Sequence, residues 1–502
     1  MRNLRQLGLF GLLAAAAAIL AAAHAGVVTQ SGPKLYASSS SSSSSSGGAS
    51  VVYDTPTKYV NNSGSPACSD ATTYAANSAG SPWCTLGRAV WGNATRASAS
   101  SAQAAQAGDV VQVTGGTYNT SQSTGTRYDV VYNPQNDGTE ADPIVFQCAE
   151  GQTCTLTLSG TTGHTFGSND RDWITWRNFT INDTANPMWD SDGLVVIVNA
   201  SNVKIEDCTF IGRDPSPIEG DNYTGVWLDA ATAALIRFNL FDDFGDQDEN
   251  NSGSTSYSSG GAIYEYNTFT NSGSGLYLKA NYLDDPPYGY DGFTVRFNLF
   301  QANKEAMRVH RQPSPGSDTL IYQNLFVSNV DAGIIIEPHA QVTGLTDPKN
   351  IKVVNNTCYN TGICFASGYY LTENGDVEYH NNVSSGGSWV VGYAIWGSDI
   401  TYSSDRVSGD RNVGYNASQA WGRTTESPTN YTLAQWRTFS SNAMDLNSIT
   451  SNPNFVSAGS DFHLQAGSPA EDLGRVVFSI CGTNGATIDA GAYCSDVSIG
   501  DH

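Results

Sequence analysis

In a chain with 24 Lys and Arg against 47 Asp and Glu, two short segments stand out for their basic faces. They are Gly275-Leu276-Tyr277-Leu278-Lys279 and Ala306-Met307-Arg308-Val309-His310-Arg311. At a strand's period of two, Leu276, Leu278, Met307 and Val309 turn inward, while Tyr277, Lys279, Arg308 and His310 turn outward. Such a face suits removal of a proton beside a carboxylate. Arg308 would pair bidentately with the carboxylate. Lys279 would act as base once Arg308, His310 and Arg311 disfavour its charged form. His310, Tyr277 or a water would protonate the departing oxygen. Tyr277, Arg311, Glu337 and Trp227 complete the expected substrate contacts.

Between these segments and the preceding strand lies an acidic stretch, Asp242-Asp243 and then Asp246 to Asn251. Asp246, Asp248 and Asn250 place oxygen ligands at alternating positions, a spacing suited to Ca²⁺, although the glycine and closing glutamate of an EF-hand loop are missing. An ion there would neutralise a substrate carboxylate. A bare acidic loop and an ordinary ladder of outward charges, Asp229, Lys279 and Glu337, are the competing readings.

The scaffold that would unite the two segments is a repeat. Ile236-Arg237-Phe238-Asn239-Leu240-Phe241 returns as Val295-Arg296-Phe297-Asn298-Leu299-Phe300 and as Ile321-Tyr322-Gln323-Asn324-Leu325-Phe326. Anchors at Asn178, Cys208, Asn239, Asn267, Asn298, Asn324, Asn356 and Asn382 give steps of 26 to 32 residues. Units this short cannot bury their own apolar face, so they must stack. Short β-branched and aromatic runs punctuated by Gly, Asn, Asp and Ser select a parallel β-solenoid, with an inward Asn ladder at each turn. Each coil carries a Gly-x-x-x-X strand: Gly225 to Asp229, Gly275 to Lys279, Ala306 to His310, Gly333 to Glu337 and Gly362 to Ala366. The coil between Asp229 and Lys279 shows no such strand. Strands of neighbouring coils lie about 4.8 Å apart, which puts Lys279, His310 and Glu337 in one row and Tyr277, Arg308 and Ile335 in the next.

The remaining features set the compartment. Arg2 and Arg5, an apolar run from Leu7 to Ala23 and Ala23-His24-Ala25 read as a signal peptide over residues 1–25, too short for a membrane span. Residues 26–50 hold a serine run and read as a linker, residues 51–495 as one β-helix domain, and 496–502 as a tail. The reading is a secreted monomer. A net charge of −23 opposes nucleic acid and anionic membranes. Nine cysteines suggest Cys68–Cys84, Cys148–Cys154, Cys358–Cys364 and Cys481–Cys494, leaving Cys208 as a core residue.

A short helix, Leu86 to Val90, followed by Val110 to Val113 and Gly115-Gly116-Thr117-Tyr118, reads as a cap on the first strand. Together with Pro82-Trp83-Cys84-Thr85, and at the other end Asn452-Pro453-Asn454-Phe455, Asp461-Phe462-His463-Leu464 and Asp489-Ala490-Gly491-Ala492-Tyr493, it resembles secreted right-handed parallel β-helix proteins of the pectate-lyase-like superfamily. The Lys279 strand followed by Met307 to Arg311 resembles the chondroitinase B and alginate lyase group, polysaccharide lyase family 6. That resemblance implies a Lys base, an Arg-His pair on the next coil, Ca²⁺ nearby, and β-elimination on a uronate-containing polysaccharide. Here the slot stacked on Lys279 holds His310, not Arg. The alternatives are a glycoside hydrolase using Asp248 with Asp285, and a non-catalytic binder that stacks sugar on exposed Trp227, Tyr277, Tyr288 and Tyr290.

Overall fold

The computed structural model describes residues 51–120, 122, 129–158, 163–183, 192–213, 223–245, 250–279, 292–310, 318–337, 350–367, 377–387, 390–395, 407–415, 420–424, 430–440, 444–477 and 488–493. The expected signal peptide, linker, tail and Cys481–Cys494 bridge lie outside them, as do Asp246, Asp248, Asp285, Tyr288, Tyr290 and Arg311.

The chain coils into three sheets of 12, 12 and 11 strands, each coil giving one strand to each sheet. Pairing from coil to coil is parallel throughout the solenoid; an antiparallel strand at Asn430–Tyr431 closes the second sheet. The first sheet runs from Lys58–Val60 to Val407–Asp410, the second carries Ser274–Lys279 and Glu305–His310, and the third carries Thr268–Thr270 and Thr357–Tyr359. The expected solenoid is therefore present. Its first strand, however, is Lys58–Val60, which precedes helix α1 (Leu86–Trp91) and pairs with Val110–Val113. All six residues of α1 are buried, and Trp91 Nε1 donates to Val131 O at 2.9 Å. At the far end α2 (Leu433–Phe439) buries Trp436, while the hairpin Phe455–Ser457/Asp461–Leu464 packs beside the outer face of the third sheet.

The interior is a column of stacked rings. Phe210, Phe241, Phe269, Phe300 and Phe326 follow one another at centroid separations of 4.9, 4.8, 4.8 and 5.2 Å. Glycines at the start of the second-sheet strands make room for it. A Cβ on Gly275 would lie 2.6 Å from Ala306 O and 2.7 Å from the Phe300 ring. Three of the expected disulfides are formed, and Cys208 is free and buried, its thiol pushed up to about 12 by desolvation.

The corner between the first and third sheets is closed by asparagines. The backbone N–H of each rung donates to the next Oδ1 through Asn239, Asn267, Asn298, Asn324, Asn356, Asn382 and Asn412, at 2.9–3.1 Å. Each Nδ2 also donates to that Oδ1 and to a carbonyl of the preceding coil, as Asn267 does to Ile236 O at 2.8 Å. Cys208 tops the ladder and Ser448 Oγ ends it. Asn178, expected as a rung, is not one. Register places Phe179 opposite Cys208, whereas Asn178 has φ 60° and aligns with Asp207, Phe238 and Tyr266, all left-handed. Asparagine tolerates that conformation, and so two roles share one residue type. Asn298→Ala would strand the Asn267 N–H and take the side-chain donor from Tyr264 O, at about 1–3 kcal/mol for each buried group left unbonded. Chemical denaturation is expected to show a loss of several such increments.

Below the ladder, Asp445 accepts from Ser448 Oγ at 2.6 Å, Asn412 Nδ2 at 3.2 Å and Trp421 Nε1 at 3.3 Å. Burial outweighs these donors and pushes its carboxyl up to about 6 from an ordinary 3.8. A carboxyl raised by folding stabilises the fold below its unfolded value and loses that contribution as pH rises through the folded one. The melting temperature of Asp445→Asn minus that of wild type should therefore increase as pH crosses from 3.8 to about 6, and stay level below that interval.

Candidate active site

The second sheet brings the two basic segments side by side. Tyr257 pairs with Lys279, Lys279 with His310, and His310 with Glu337, while Thr255, Tyr277, Arg308 and Ile335 form the adjacent row. For His310 and Glu337 the placement is of backbone alone. The row continues upward to Asp229 through a strand the sequence pattern did not reveal, Ser252–Tyr257. Its inward positions are Ser254 and Ser256, both fully buried, where other coils use aliphatics. Ser254 Oγ donates to Val226 O at 2.9 Å and lies 3.3 Å from Tyr264 OH. Hydropathy hid this strand, although Gly253 and Tyr257 keep the Gly-x-x-x-X spacing. A second correction concerns the last strand: Ile335 pairs with Ala366 and Ile336 with Ser367, so Gly362 is not the counterpart of Gly333. Two aliphatic runs of similar length had allowed either alignment.

Lys279 Nζ donates to Asn250 Oδ1 at 2.7 Å and to Tyr257 OH at 2.9 Å. It also lies 4.1 Å from the Tyr277 ring centroid and 5.0 Å from that of Tyr257. Both hydrogen bonds use Nζ as donor, which the amine can supply in either protonation state. Asn250, expected as a calcium ligand, thus has its side-chain oxygen engaged by Lys279. Among the described residues no group of three or more His, Cys, Asp or Glu is arranged to hold a metal.

Arg308 is fixed differently. Its Nε and Nη2 donate to Glu305 at 2.7 and 2.6 Å, a bidentate pair whose side chains are 13% and 7% exposed. Its guanidinium carbon lies 5.8 Å from the Tyr277 centroid, so that ring serves both cations. Glu305 was not foreseen, because an acidic residue three positions before an arginine reads equally well as a solvated charge. Trp227 and Tyr277, expected as exposed stacking platforms, are each only 3% exposed. Trp227 packs edge-on to Tyr257 at 5.6 Å and joins Val130, Val196 and Val198 in an apolar patch. They support the site from beneath.

The architecture is that of a right-handed parallel β-helix. A family model described as "Right handed beta helix region" matches residues 164–343, the stretch holding the rows above. Among solved structures, pectate lyase Pel9A aligns at 14% identity over 87% of this chain and 96% of its own, with a TM-score of 0.53. The PL6 family polysaccharide lyase Pedsa3628 from Pseudopedobacter saltans aligns at 13% identity over 75% and 96%, with a TM-score of 0.39. A rhamnogalacturonan lyase aligns at 14% over 80% and 91%, with a TM-score of 0.42. The likeness to Pel9A is one of fold. No curated protein sequence matches significantly. No described helix is long and apolar enough to cross a membrane.

Glu305→Gln would remove the carboxylate that pairs bidentately with the largely buried Arg308 guanidinium. We expect a stability loss of about 3 kcal/mol, the lower end for breaking a buried ion pair, measured by urea unfolding.

Proposed function

We propose that the chain is a secreted polysaccharide lyase that cleaves a uronate-containing polysaccharide by β-elimination, with Lys279 as base. The observation that carries this reading is the Lys279 Nζ–Tyr257 OH hydrogen bond of 2.9 Å, set one coil from Arg308 and His310 on an outward face. The neutral amine takes the proton next to the uronate carboxylate. The Tyr257 hydroxyl hands its proton to the departing glycosidic oxygen, and the new ammonium returns a proton to the phenolate across the same bond. One proton leaves carbon, one reaches oxygen, and both side chains regain their starting state. We assign Arg308, one coil below Lys279, to the substrate carboxylate, which a guanidinium suits. His310, opposite Lys279 in register, is the second candidate acid.

This reading narrows to the chondroitinase B and alginate lyase group through the Lys279 strand and the basic strand after it. Ca²⁺ belongs to the proposal through Asp246 and Asp248, with Asn250 at their flank. A bound cation would neutralise the substrate carboxylate. Export is supported by the apolar leader and by the three disulfides.

Alginate, pectate and chondroitin incubated with the enzyme, with and without chelator, provide the test. An unsaturated product absorbing in the ultraviolet is expected from at least one of them, whereas hydrolysis would give reducing ends alone. Lys279→Ala should abolish it, and Tyr257→Phe should lower kcat by about 10²–10⁴-fold, the range for loss of a general acid or base. Absence of unsaturated product from every polyuronate, or full activity in Lys279→Ala, would overturn the reading.

A further inference from the structure

A cleft of about 530 Å³ opens between the third sheet and the C-terminal hairpin, on a different sheet from Lys279. Its floor is a run of three paired positions on successive coils: Tyr359, Ser385 and Tyr415. The small middle residue leaves a trough between two tyrosines about 9.6 Å apart, twice the coil spacing of about 4.8 Å. Van der Waals contacts of about 3.5–4.0 Å on either side take up about 7–8 Å of that gap, so it admits a puckered ring with its axial hydrogens. The facing wall presents Asn452, Asn454 and Gln465.

The wall is held in place from within. Asn452 Oδ1 accepts from Asn454 N at 2.9 Å, and Gln465 Nε2 donates to Phe455 O at 2.9 Å. Tyr359 is braced against Phe462 at a centroid distance of 5.4 Å. The hydroxyls of Tyr359, Tyr415 and Ser385 and the Asn454 amide make no hydrogen bond to other described residues, so they remain available to a ligand. None of the described lining residues carries a charge. Aromatic faces edged by amides and hydroxyls recognise a molecule that is apolar on its flat faces and rich in hydroxyls at its rim.

We propose that this cleft is a second carbohydrate site and that it takes a neutral pyranose unit. A carboxylated sugar would find no cation among the described lining residues, which separates the cleft chemically from the Lys279 face. The inference stands independently of the lyase reading.

Isothermal titration of the full chain with xylohexaose, cellohexaose and mannohexaose tests it, with trigalacturonate as the acidic comparison. At least one neutral hexaose should bind, equally well at low and high salt, and equally well to Lys279→Ala. Tyr415→Ala should weaken that binding about tenfold or more, a readable loss of about 1.4 kcal/mol, while Tyr415→Phe keeps most of it. Asn454→Gly removes the amide yet suits the backbone there, where φ is 49°, and should also weaken binding. The proposal is overturned if no neutral hexaose binds, or if Tyr415→Ala and Asn454→Gly bind as wild type does. It is equally overturned if these variants lose salt-sensitive trigalacturonate binding instead.

Discussion

The structure depends on satisfying buried backbone groups at the corner where the first sheet turns into the third. A solenoid coil has no hairpin partner there, so each asparagine side chain bonds the coil before and the coil after. Asn267 shows the arrangement: its Nδ2 reaches Ile236 O above and Asn298 Oδ1 below. The residue before each rung is left-handed even where it is bulky, as at Phe238, Tyr266 and Phe297, whose rings stack at 5.0 and 4.9 Å. A slip of one residue in any coil would break the rung, the left-handed turn and the ring stack together. Register is thereby specified many times over, and the rows on the second sheet inherit it.

That register decides how a small stock of cations is used. On the first sheet Arg177, Glu206, Arg237, Glu265 and Arg296 alternate across coils, with contacts of 2.6 to 3.8 Å and Glu206 fully buried. Arg177 also meets Asp54 of the N-terminal segment at 2.9 Å. This ladder is matched charge for charge and serves the fold. On the second sheet Arg308 pairs with Glu305, and Lys279 Nζ donates to the Asn250 side-chain oxygen and the Tyr257 hydroxyl. Of these two partners the Tyr257 hydroxyl can exchange a proton with the amine, whereas the Asn250 oxygen can only accept a hydrogen bond.

Much of this was legible beforehand. The recurrence of Arg-Phe-Asn-Leu-Phe exposed the coil length and the inward asparagines. The pairing of Lys279 with His310 followed from counting along two strands. The misreadings have physical causes. Ser252–Tyr257 escaped because serines stand at its inward positions, one of them, Ser254, bonding to Val226 O and Tyr264 in place of aliphatic packing. Asn178 was misplaced because asparagine suits both the ladder and the left-handed turn.

Inward positions meet the same neighbours in every coil, so a repeating environment writes a repeating sequence, and the sequence by itself determined the solenoid and the stacking of its two basic strands. Outward positions have no such periodic partner. That Arg308 meets Glu305 along its own strand, that Asn250 meets Lys279, and that Trp227 packs on Tyr257 depend on how side chains converge in space. Those contacts leave no periodic trace in the sequence, and only the tertiary structure decided them.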